Sequence, residues 1–148
     1  SCVLRVYLCE LPVTPRIEVV AGVIEKGGRI LACQRRAGDR HPLRWEFPGG
    51  KVDPGETCEE ALVRELREEL AIEATPGVRL AVEEFQYEGR PPIRLHFFAV
   101  CGYSGEMANL AFAAIRWVPR EELPALDFLE GDVAFVRRLA AGEFRISS

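Results

Sequence analysis

WEFPGGKVDPGETCEEALVRELREELAI, residues 45–72, is the stretch whose reading decides the fold. Paired glycines after Pro48 allow backbone torsions that other residues resist, and Asp53-Pro54-Gly55 marks a second turn. Thr57 followed by Glu60 forms a capping box, which predicts a helix from about residue 58 to about residue 70. Leu62, Val63, Leu66 and Leu70 give that helix one apolar stripe. Around the axis from Glu65, Glu68 lies roughly 60° to one side and Glu69 roughly 40° to the other, at ~100° per residue. Three acids thus share a wedge about 100° wide beside the apolar stripe, where like charges repel unless something positive sits among them. A divalent cation of the magnesium type suits such an all-oxygen site. A solvated acidic helix face is the plainer alternative. The preceding glycine turn, Glu56 and Arg64 weigh against it.

The strands around this unit follow from alternation and turn chemistry. Residues 17–24, rich in β-branched side chains, read as a buried strand. Lys26-Gly27-Gly28 signals a hairpin, with residues 29–35 as the return strand. Residues 36–44 form a polar loop and residues 45–47 a short extended piece, before a turn at Pro48-Gly49-Gly50. Pro76-Gly77 is expected to close the connection after the helix. Residues 78–87 and 93–101 then read as two longer strands, and residues 113–118 as the last one. A short helical or turn segment begins at Pro119, and a final helix covers residues 132–141. Residues 2–9 read as a strand or an extra edge segment. The pattern predicts a mixed α/β sandwich.

With 148 residues the chain suffices for one domain with a sizeable core. The 19 basic and 23 acidic residues leave a net charge of -4, which disfavours holding a polymeric nucleic acid by bulk electrostatics. The five cysteines form no CxxC pair and read as free thiols of a cytoplasmic protein. No apolar run approaches the ~18 residues of a membrane span. His41 and His96 have no partner at metal-ligand spacing. His96 reads as a sheet residue.

Gly50, Glu56, Arg64, Glu65, Glu68 and Glu69 make the pattern G-x5-E-x7-R-E-L-x-E-E, which resembles the signature of the Nudix hydrolases. Ala71 stands where that signature ends in glycine. Residues 17–139 resemble the plan of the MutT-type branch, which acts on oxidised nucleoside triphosphates, and of its relatives acting on cytidine nucleotides. The resemblance extends to Gln34-Arg35-Arg36, residues 45–51, Trp117 and residues 128–132. It implies a single Nudix domain over residues 1–148, residues 1–16 being an N-terminal extension or edge segment. The implied fold is an α/β/α sandwich with a mixed sheet and the motif helix packed beside it. The implied activity is magnesium-dependent hydrolysis of a nucleoside triphosphate to monophosphate and pyrophosphate, with manganese as an alternative ion. ADP-ribose or a nucleotide sugar is an alternative substrate, and a non-catalytic nucleotide-binding module a further alternative. The expected partner is a small nucleotide, with no membrane, and the chain is a monomer or homodimer.

By the same resemblance Glu65, Glu68, Glu69 and the Gly49 carbonyl bind metal, Glu68 or Glu69 activates water, and Gly50, Glu56 and Arg64 brace the motif. Arg35, Phe47, Tyr87 and Asp132 are the expected substrate contacts. Each has a plainer reading: Arg35 as a surface ion pair, Phe47 as core, Asp132 as the N-cap of the last helix. One departure concerns the metal set. The branch commonly carries a further metal-binding glutamate where this chain has Ala111; Glu106 is the neighbouring acid that would replace it if the loop is rearranged.

Overall fold

The computed structural model describes residues 16–146, so the segment expected at residues 2–9 lies outside it. The strands are β1 (Ile17–Val23), β2 (Glu25–Lys26), β3 (Arg29–Gln34), β4 (Trp45–Glu46) and β5 (Gly49–Lys51). Helix α1 (Cys58–Leu70) follows, then β6 (Glu73–Phe85), β7 (Ile93–Ser104) and β8 (Ala114–Pro119). A 3-10 helix (Arg120–Ala125) leads to helix α2 (Glu130–Ala140). One sheet has the order β5-β1-β7-β6, mixed because β1 and β7 run parallel while the flanking pairs are antiparallel. In a second sheet β3 pairs with β8 along one edge and with β2 and β4 along the other.

Alternation along the strands sends side chains to two cores. Leu95, Phe97 and Ala99 of β7 pack with Phe47, Phe135 and Leu139 on the α2 side. Phe98 and Val100 pack with Leu62, Leu66 and Leu70 on the α1 side. Ile30 and Leu31 of β3 divide the same way. The result is an α/β/α sandwich with the motif helix against one face of the sheet. Among the described residues no helix is long and apolar enough to cross a membrane.

Two local expectations are corrected. Gly49 and Gly50 do not simply turn; they form β5, opposite Ala21 and Val20 of β1. The turn is instead made at the entry, where Pro48 accepts a hydrogen bond from Gly22. Nor does Pro76-Gly77 end an element. It lies inside β6, at register shifts against β7. Because β6 is the sheet's edge, a residue without an N–H is tolerated there. Gly77 allows the close approach: a Cβ on it would lie 2.6 Å from Cys101 Sγ.

Candidate active site

Helix α1 has the predicted bounds. Thr57 accepts from the Glu60 N–H at 3.1 Å and Glu60 accepts from the Thr57 N–H at 2.9 Å. Leu62, Leu66 and Leu70 are fully buried, whereas Val63 is only half-buried. This stripe orients Arg64 and the acids toward the β5 turn. Arg64 donates through Nε and Nη2 to both oxygens of Glu56, at 2.7 and 2.9 Å, and through Nη2 to the Lys51 carbonyl at 3.0 Å. Its Nη1 reaches Glu65 at 2.9 Å and Glu68 at 3.4 Å. One guanidinium therefore ties helix, turn and acids together. Its hydrogen bonds, with that from the Asp53 N–H, hold Glu56 below the usual carboxylate range.

Glu69 accepts from the Gly49 N–H at 2.9 Å. Burial, then the charges of Glu65 and Glu46, push its carboxyl up to about 9 against that hydrogen bond. Burial also raises Glu65, opposed by Arg64. The acids share one side of the helix but, among the described residues, no three converge as a ready set of ligands. Glu65 and Glu68 lean to Arg64, and Glu69 to the turn. The glycines explain how close the turn comes: a Cβ on Gly49 would lie 1.9 Å from the Val20 oxygen, and one on Gly50 2.6 Å from the Glu65 carboxyl carbon. Ala71 takes the left-handed conformation at the helix end, φ 59°.

Beside the turn, on the other side of β1, opens a cavity of about 290 Å³. Arg35, Phe47, Tyr87 and Asp132 all line it. Arg35 is half-buried and pairs with Glu46, at 3.1 and 3.3 Å, rather than lying as a surface bridge. Phe47 is 3% exposed, packed against Phe97, Phe128 and Phe135; it is core and cavity floor at once. The Tyr87 hydroxyl accepts from the Gly131 N–H at 2.9 Å, and its ring contacts Phe85 and His41. Asp132 is not an N-cap. Leu129 holds that position without a side-chain bond, and Asp132 lies within the first turn. Its buried carboxyl has no hydrogen-bond partner among the described residues. Burial and then Glu46 raise it well above the ordinary range, with Arg35 opposing.

Glu46 is a cavity-lining acid that the sequence reading passed over. It lines the cavity, and burial raises it to about 6 despite Arg35. A carboxylate between Trp45 and Phe47 in a short strand was the available signal. His41, which also lines the cavity, was passed over as well: its ring packs tilted against Tyr87 at 4.7 Å between ring centres, and it takes a positive φ of 54°.

Ala111 lies half-buried against the α1-side core, next to buried Phe112. The Asn109 side chain pins this loop through the Phe112 carbonyl and the Ala111 and Phe112 N–H groups. Ala108 and Leu110 donate to the Leu70 and Glu69 carbonyls, so the loop closes the open end of α1. Glu106 is exposed, with no hydrogen bond or ion pair to the motif acids among the described residues.

Residues 14–139 match the NUDIX domain. The chain is 41% identical over 125 residues to the CTP pyrophosphohydrolase of Escherichia coli, covering 84% of this chain and 92% of that protein. It is 33% identical over 126 residues to the 8-oxo-dGTP diphosphatase of the same organism, covering 84% and 96%. The solution structure of the E. coli ORF135 protein superposes with a TM-score of 0.80 at 39% identity, over 89% of this chain and 95% of that one. Motif, sandwich and these likenesses agree, and the chain belongs to the Nudix hydrolase family, in its MutT-like branch.

Proposed function

We propose that the protein hydrolyses a nucleoside triphosphate to the monophosphate and pyrophosphate, with magnesium, or manganese in its place, as the working ion. One observation carries this reading: a cavity of nucleoside dimensions opens directly onto Gly49, Gly50 and Lys51, at the turn that faces the acids of α1. Relatives named for CTP and for 8-oxo-dGTP support the substrate class.

Glu65, Glu68, Glu69 and the Gly49 carbonyl fit a hard divalent cation, because their donor atoms are all oxygen and their charges crowd one another. Such an ion would supply charge neutralisation on the phosphoryl oxygens and acidify a water. Arg64 keeps the helix and turn in fixed relation. Glu68 or Glu69 accepts the proton of the attacking water. Water adds to phosphorus, the anhydride P–O bond breaks, and pyrophosphate leaves.

In the cavity Asp132 as a carboxylate would accept from an amino group on the base edge, and when protonated it would donate to an acceptor there. Arg35 and Glu46 fix the cavity wall, while Phe47 and Tyr87 provide apolar surface. Hydrolysis across a panel of oxidised and unoxidised nucleoside triphosphates, ADP-ribose and nucleotide sugars, with pyrophosphate and phosphate read separately, tests the reading. Pyrophosphate from triphosphates supports it; turnover confined to the other substrates contradicts it. The apolar Ala111 favours a second reading, a nucleotide-binding module with a reduced metal set. Binding without any product would select that one.

A further inference from the structure

The wall of the cavity that carries Asp132 is held from a distant part of the chain. Helix α2 begins without a cap of its own, because Leu129 stands at the N-cap and offers no side-chain acceptor. The Asp132 N–H turns back to the Leu129 carbonyl at 2.9 Å, and the Leu129 N–H is taken by the Trp45 carbonyl at 2.9 Å. The Gly131 N–H belongs to the donors that a helix start leaves open. It donates to the Tyr87 hydroxyl at 2.9 Å, across 44 residues of sequence. The approach is close, since a Cβ on Gly131 would lie 3.0 Å from that hydroxyl.

Tyr87 is itself fixed to the sheet. Phe85, the last residue of β6, pairs with Ile93 of β7, and its ring meets that of Tyr87 at 4.7 Å between centres. The Tyr87 carbonyl accepts from the Arg90 N–H at 3.0 Å, and the Arg90 carbonyl accepts from Gln86 Nε2 at 2.9 Å, which closes the turn. His41 packs on the same ring. Asp132, one residue beyond Gly131, lines the cavity, and its carboxyl makes no hydrogen bond among the described residues. A side chain without bonds of its own inherits its position from the backbone that carries it. Leu129 ties that backbone to β4, and Tyr87 ties it to the end of β6.

We propose that the Tyr87 hydroxyl is a positioning group for base recognition: by capping α2 it sets where Asp132 meets the base edge. The ring borders the cavity, while the hydroxyl determines specificity through the helix. This inference rests on the triphosphate reading, with Asp132 as the base-edge contact.

The test is steady-state pyrophosphate release from a panel of oxidised and unoxidised nucleoside triphosphates. kcat and KM are measured separately for wild type, Tyr87→Phe, Asp132→Asn and the double variant. Tyr87→Phe keeps the ring and removes only the acceptor. It should lower the ratio of kcat/KM between the most and least favoured bases by about three- to tenfold, the scale of one hydrogen bond, with the loss in KM rather than kcat. In the Asp132→Asn background the same substitution should leave that ratio unchanged, because the two residues act as one unit. An unchanged ratio in Tyr87→Phe, or a uniform loss for every base, would overturn this inference alone and leave the tyrosine a purely structural cap. An equal loss of ratio in both backgrounds would also overturn it, since the hydroxyl would then bond the base directly. A wild type that treats every base alike would overturn the role of Asp132 with it. A wild type that releases no pyrophosphate would overturn the triphosphate reading itself.

Discussion

The protein keeps two groups of acids on either side of one turn, and it surrounds them differently. On α1, Glu65 and Glu68 have a counter-charge at hand in Arg64, and Glu68 is 58% exposed. In the cavity, Glu46 and Asp132 are shielded, and among the described residues only Arg35 answers them. On the proposed reading a cation offsets the like charges of the first group, which with burial push Glu69 up to about 9. In the second, burial raises both carboxyls, but Glu46 only to about 6, so that it meets Arg35 as an ion pair at neutral pH. Residue type is the same in both places; burial and the nearest guanidinium decide the chemistry.

The largest expected effect separates the groups by activity. Glu69→Gln keeps an acceptor for the Gly49 N–H but removes both a charge and a base. Steady-state turnover should fall by about 10²–10⁴, the scale of a lost general base. Asp132→Ala should lower kcat/KM by about 10–100-fold, the scale of one base-edge contact of about 1–3 kcal/mol, and relax discrimination among bases. Arg64→Ala leaves Glu56 and Glu65 without their partner. Denaturant unfolding should report a loss of about 2–3 kcal/mol, only partly restored by Arg64→Lys, which lacks the two-pronged geometry.

A pH series sharpens the contrast. Glu46 is raised to about 6 in the fold, so the folded chain binds more protons than the unfolded chain above the ordinary carboxylate value. That contribution is complete below about 4.3 and is lost as pH rises through about 6. Glu46→Gln should flatten the stability profile over this window and gain about 1–2 kcal/mol at neutral pH. The smallest effect is local. Ala71→Gly relieves a left-handed alanine at the end of α1 and should stabilise the protein by about 1 kcal/mol in thermal unfolding.

How much of this was legible in the sequence depended on the range of the interactions. The bounds of α1 were readable because Thr57, Glu60 and the leucine stripe act within a few turns. The Glu56–Arg64 link was implied by the motif's spacing and its likeness to a known signature. The start of α2, expected at residue 132, lies at Glu130 because it depends on Tyr87, whose hydroxyl covers the Gly131 N–H from 44 residues away. Pro76-Gly77 looked like a break because nothing local says that β6 is an edge strand. Glu46 was hidden for a similar reason: that it faces Arg35 and Asp132 is decided by the pairing of β4 with β3 and by the packing of α2.

The claim that the two groups of acids do different work is tested most directly by pyrophosphate release from a nucleoside triphosphate as magnesium is titrated. Wild type, Glu69→Gln and Asp132→Asn are compared. Glu69→Gln should lose the saturable magnesium response, while Asp132→Asn should keep the wild-type half-saturating concentration with altered turnover among bases. A wild-type magnesium curve for Glu69→Gln, or a shifted curve for Asp132→Asn, would contradict the account.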